Sequence, residues 1–178
     1  MSFKISWLAV RDMRKVQLLD ALGFIDTGRV DEANEARFSS ADLSTGWSII
    51  WSNDFGWVES EALHTRPPLG RSIACQVHEG VMYSAAYAAQ DGVELWRVVH
   101  DSDRGHDDLQ IHGTVPVELA EIRRALAAEQ QADGSCQNVD YMFDVPVEMA
   151  LKFTGFRYDL WDLPSGPNPA FTVVERRR

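Results

Sequence analysis

Lysine occurs only three times in the 178 residues, as Lys4, Lys15 and Lys152, and none of the three follows a glycine. A phosphate-cradling loop needs a Gly-Lys pair to reach the β- and γ-phosphates, so that chemistry is excluded. Neither the dinucleotide fingerprint GxGxxG nor the nucleophile elbow GxSxG is present. Cysteine is scarcer still: Cys75 and Cys136 are too few for a disulfide framework or a zinc cluster, and reduced thiols are expected. No apolar run reaches the roughly 18 residues a membrane helix needs. The segment MSFKISWLAVRD also lacks the hydrophobic region and cleavage site of a signal peptide, so a cytoplasmic protein is expected.

Positive charge is also in deficit, with 17 basic against 27 acidic residues and a formal net charge of −10. Such a field repels phosphate backbones and anionic membranes, which argues against nucleic acid and membrane as partners. It attracts a protein with a basic surface, or a cationic ligand. What is present is ordinary for a folded protein: 45% hydrophobic and 25% charged residues, enough to bury a core without staples.

Local patterning predicts the elements. Ser6 to Val10 read as a strand, and Asp12 as the cap of a helix with Met13, Val16 and Leu19 on its buried face. Gly23-Phe24 closes that helix. The stretch DTGRVDEANEARFSSADLSTG has no period and reads as loop. WSIIW, Trp47 to Trp51, is a buried strand, and a short helix is expected from Trp57 to Leu63. Arg71 to His78 alternate, with Ile73, Cys75 and Val77 on the core face of a half-buried strand. Two hairpins follow, one turning at Asp91-Gly92 and one returning along Leu109 to Gly113. Pro116 opens a helix over Val117 to Gln131, and Asp144 caps a last helix that Gly155-Phe156 ends. VPVELA and VPVEMA are helix starts of similar composition, and the sequence around them does not repeat.

The run VVHDSDRGHDD, Val98 to Asp108, is the densest in ligand-type side chains. As a calcium loop it fails, because Gly105, His106 and His112 fall where an oxygen ligand, the turn glycine and the bidentate glutamate belong. As a hairpin it places His100 and His112 on opposite faces, so it reads as a solvated turn and no metal or other cofactor is expected. His78-Glu79 begins an HExxH pattern that Met82 breaks. Cys75 and His78, three apart on a strand, point to opposite faces. Asp140, Asp144 and Glu148 have spacing suited to acid/base work, but Asp144 as a helix cap and Glu148 on the helix dipole explain the pattern better. No catalytic residue is assigned.

Of the six tryptophans, those at strand spacing are read as core. The exception is SNDFGW, where Asp54, Phe55 and Trp57 sit in a polar turn and are the candidate partner-binding residues. A pocket among Trp96, His78 and His100 is the alternative, for a small ligand or an enzyme's substrate. SNDFGW, ACQVHEGVMYSAAYAAQDGVELWRVVHD and VDYMFDVPVEMALKFTGFRYD together resemble a family of small acidic bacterial proteins known as conserved hypotheticals. The resemblance implies a compact domain in the bacterial cytoplasm and supplies no site residues. The general plan is also similar to immunity proteins of bacterial toxin systems, which are small acidic binders.

The expected architecture is α+β: a mainly antiparallel sheet from Trp47 to Gly113, with helices at Asp12, Val117 and Val145 packed on one side. Residues 1–162 are expected to form the domain. Residues 163–178, with LPSGPNP and ERRR, are expected to be an extended or disordered arm. The expected function is a non-enzymatic, immunity-like protein-binding module.

Overall fold

The computed structural model describes residues 2–64, 68–133 and 140–178; Cys136, expected as a reduced thiol, lies outside the described residues. The strands and helices run β1 (Lys4–Arg11), α1 (Lys15–Leu22), β2 (Phe24–Val30), β3 (Phe38–Asp42), β4 (Trp47–Ser52) and α2 (Trp57–Ser60). They continue with β5 (Arg71–His78), β6 (Tyr83–Gln90), β7 (Val93–Asp101), β8 (Gln110–Gly113), α3 (Glu118–Asp133) and α4 (Asp144–Thr154). A two-stranded ribbon, β9 (Asp162–Leu163) and β10 (Gly166–Pro167), precedes β11 (Thr172–Arg176).

Nine strands form one antiparallel sheet in the order β2-β11-β3-β4-β1-β5-β6-β7-β8, so the α+β architecture is as expected. The sheet is covered on both faces. Ile5, Trp7 and Ala9 of β1 join Val145, Val147 and Met149 of α4 and Leu119 and Leu126 of α3 in one core. Leu8 and Val10, pointing the other way, join Leu18 and Leu19 of α1 and Trp57 and Val58 of α2 in a second. The expectation that all helices share one side is thus corrected: α1 lies opposite α3 and α4. The physical reason is visible in KISWLAVR, apolar at both parities, which is what a strand buried on both faces requires. For the same reason β5 is buried on both faces, where its alternation suggested half burial.

Turn chemistry performs as the residues dictate. Asp91 and Gly92 both have positive φ, 52° and 80°, the geometry of the tight turn that follows strand twist. Gly23 and Gly155 end α1 and α4 in the left-handed conformation. Asp12, however, is not the cap of α1. It takes a left-handed φ of 55°, and Asp42 of β3 accepts the Lys15 N–H at 2.7 Å instead. Val16, expected on the buried face, is exposed, and Leu18 and Leu19 fill the core.

Two segments differ from expectation in kind. The polar stretch read as loop holds β2 and β3. After Phe24, β2 is an edge strand with exposed side chains, and β3 buries Ser39 and Ser40, so neither displays apolar alternation. The C-terminal residues 163–178 are not a free arm. β11 lies between β2 and β3, with Val174 and the preceding Phe171 buried. Prolines and glycines upstream of β11 make the ribbon and the turn that bring it back.

Candidate functional site

The structure buries one residue of the first predicted site and separates the residues of the second. Trp57 is only 2% exposed, packed edge-to-face on Phe24 and Phe38 at 6.2 and 5.5 Å. It is a core residue, because the SNDFGW turn leads straight into α2 and points the ring down onto the sheet. Phe55 is half-buried against His78 and Tyr83, and Asp54 pairs with Arg37 at 3.2 Å. In the alternative pocket, Trp96 and His100 share the core face with α4, both buried, whereas His78 contacts Phe55 on the opposite face. The three do not converge.

The HDSDRGHDD segment is a turn between β7 and β8, as read, and its Asp101 carboxylate accepts the Asp103 N–H. Its first residue does more. His100 is fully buried, with Nδ1 at 2.7 Å from the Asp108 carbonyl and Nε2 at 2.8 Å from Asp140 Oδ2. A carbonyl only accepts, so Nδ1 carries a proton. Nε2 faces the Asp140 carboxylate at hydrogen-bond distance. Both ring nitrogens are thereby committed, and the pair is a pin that joins β7, the turn and the approach to α4. The largely exposed His106 stands 3.5 Å from the same carboxylate oxygen. Among the described residues no group of three or more His, Cys, Asp or Glu is placed to hold a metal ion.

Asp144 and Glu148, read as cap and dipole partner, instead bind Arg157. Arg157 Nη2 donates to Asp144 at 2.9 Å, Nη1 to Glu148, and Nε to Asp159 at 2.7 Å. Burial pushes the Asp144 carboxyl above its ordinary range, and the Arg157 guanidinium only partly opposes that. Burial likewise pushes the Cys75 thiol up to about 12, which makes it inert near neutrality.

A site that the residue pattern did not predict lies where the C-terminal segment rejoins the sheet. A cleft of about 470 Å³ is bounded by Phe3, Trp51, Tyr158, Trp161 and Phe171. That volume falls within the range that holds small organic ligands. Each wall is fixed. Glu79 accepts the Phe3 N–H at 2.8 Å through one oxygen and the Tyr158 hydroxyl at 2.9 Å through the other. Phe3 packs edge-to-face on Trp51 and Tyr158. Asp31, on the facing loop, accepts the Glu35 N–H at 2.9 Å and the Ala36 N–H at 3.2 Å, while Asn53 Nδ2 donates to the carbonyls of Asn34 and Ala36. Asn34 is held at a φ of 51°, so the loop follows one tight path. The Asn168 side chain donates to Leu160 O at 2.6 Å, which ties the ribbon to the 158–161 turn. Its Oδ1 is buried without a partner among the described residues.

Five tryptophans are buried, and the sixth, Trp161 on the rim of the cleft, is 78% exposed. A second depression of about 600 Å³, between β8 and the start of α3, is lined by aliphatic side chains with Arg123 and Arg124, and its lining holds neither a carboxylate nor an aromatic ring. The cleft is therefore the better-formed candidate. No family model matches the chain, and no curated protein or solved structure matches it either.

Proposed function

We propose that this is a binding protein and that the aromatic cleft between the 31–36 loop and the 158–171 segment takes a small organic ligand. The observation that carries the reading is the cleft's assembly: aromatic rings from four separate stretches of chain, cross-braced by Glu79, Asn53 and Asn168, around a carboxylate fixed by two backbone N–H groups. Preorganised polar groups within an apolar cleft are the usual design of a ligand site. This keeps the class of the small-ligand alternative and moves it to other residues.

The reading is tested by titrating small aromatic compounds while following Trp161, the exposed tryptophan and hence the red-shifted emitter. Ligands should blue-shift its emission and move cleft resonances in NMR spectra. A compound set that leaves both unchanged overturns it.

The exposed Trp161 also favours a second reading, a protein partner, since a lone exposed tryptophan is the residue type most enriched at binding hot spots. The charge of −10 suits a partner with a basic surface, in keeping with an immunity-like role in a bacterial cytoplasm. Trp161→Ala tests the second reading: binding of a basic protein partner should be abolished, whereas small ligands, followed by NMR, should be weakened only by loss of the rim contact. The substitution should leave stability within about 1 kcal/mol, as exposed sites do.

A further inference from the structure

We propose that the cleft selects an organic cation bearing N–H groups, a protonated amine or guanidinium on an apolar body; this rests on the cleft being a ligand site. Its lining includes three carboxylates, Asp31, Glu32 and Asp159, and no lysine or arginine. An anion entering there loses hydration against like charges, whereas a cation exchanges water for them.

The three acids are not equivalent. Asp159 is engaged by Arg157 at 2.7 and 3.2 Å, which takes much of its charge out of play. Glu32 is exposed on the rim and adds to the field. Asp31 is the discriminating group: it is 9% exposed, and each oxygen accepts one backbone N–H. A carboxylate offers about four acceptor positions, so lone pairs remain for a ligand whose hydrogens point at them. The two backbone donors also hold the group in place, so little ordering is left to be done on binding.

The aromatic walls act in the same direction, because a cation near Trp, Tyr or Phe rings is attracted by their quadrupoles. Asn168 is a brace and not a second acceptor: its Oδ1 is covered, without a partner among the described residues, while its amide donates to Leu160 O. A quaternary ammonium satisfies the field and the rings but offers no hydrogen to Asp31, which separates N–H cations from fully alkylated ones.

The test compares 2-phenylethylamine with its trimethylammonium analogue, with 2-phenylethanol and with phenylacetate, each titrated against the intact protein by NMR and by Trp161 emission. The amine should bind about tenfold more tightly than the alcohol, with the trimethylammonium form between them and phenylacetate weakest. Asp31→Asn should reduce the amine-to-alcohol ratio, and Glu32→Gln, which leaves the 31–36 loop bonds intact, should reduce it less and weaken its dependence on salt. Equal binding of amine and alcohol, with both perturbing Trp161, overturns the cation selectivity and leaves the cleft standing. No response from any probe in folded protein overturns the ligand site and the selectivity together.

Discussion

A single tryptophan shows how far local context and tertiary placement can diverge. Trp57 sits among turn-forming residues, yet its ring closes a triad with Phe24 and Phe38 beneath α2. Trp57→Ala should therefore lower unfolding free energy by about 3 to 5 kcal/mol, the cost of truncating a buried aromatic. Phe55→Ala, at a half-buried position, should cost clearly less; urea denaturation of the two variants ranks them, and equal small losses would place Trp57 at the surface after all. His100 makes a parallel case with charge and hydrogen bonding in place of packing. Removing it leaves the Asp140 carboxylate, 4% exposed and already short of one partner at Oδ1, without its remaining bond to β7. His100→Ala should cost about 3 to 5 kcal/mol, and a paired His100→Leu/Asp140→Leu variant should recover much of it, because the penalty lies in the orphaned group. If the double variant is no better than the single, shape and not polarity governs the position.

At the scale of elements, the parts legible in the sequence are those whose signals are local. The Asp91-Gly92 turn, the glycine stops at Gly23 and Gly155, and the apolar runs of β1 and β4 each carry their information within a few residues. β2, β3 and β11 do not. β2 is an edge strand with a solvated face, β3 buries serines, and β11 is five residues long behind a proline-rich turn; they are strands because they pair with one another. The cleft shares this non-local origin. Phe3, Asp31, Trp51 and Tyr158 have no common spacing; the strand order β2-β11-β3-β4-β1 brings the first three to one place, and the Glu79 bond holds Tyr158 beside Phe3. Removing Leu163 to Arg178 thus takes a strand from inside the sheet, along with Phe171 and Val174. The truncated protein should melt more than roughly 10 °C lower, given that each kcal/mol shifts a protein of this size by about 2 to 4 °C. A melting point within a few degrees of the full chain would mean β2 pairs with β3 directly once β11 is gone.

For the molecule as a whole, the excess of acid over base sets how stability follows pH. At neutrality the charge of −10 repels itself, and that repulsion fades as pH falls toward the isoelectric point near 4.9. Asp144 works in the same sense: with its folded-state pKa raised by burial, its proton is bound more tightly in the native state, so stability is gained as pH drops through that range and lost as pH rises. Asp26 works in the opposite sense. Burial alone would raise its pKa, but the 2.7 Å pair with Lys15, with help from the Gly28 N–H and Thr172, outweighs burial and holds it below the ordinary 3.8. Its contribution is present above that ordinary value and disappears as pH falls through the lower folded-state value. Stability should therefore rise from pH 7 to a maximum near pH 5 and then drop steeply below about pH 4. Denaturation midpoints across pH 3 to 8 trace the curve, and Asp26→Asn should flatten its acid limb while leaving the rise between pH 7 and 5 intact. A midpoint that falls steadily from pH 7 downward would show that the ion pairs, Arg157 with its three carboxylates foremost, contribute more than the self-repulsion removes.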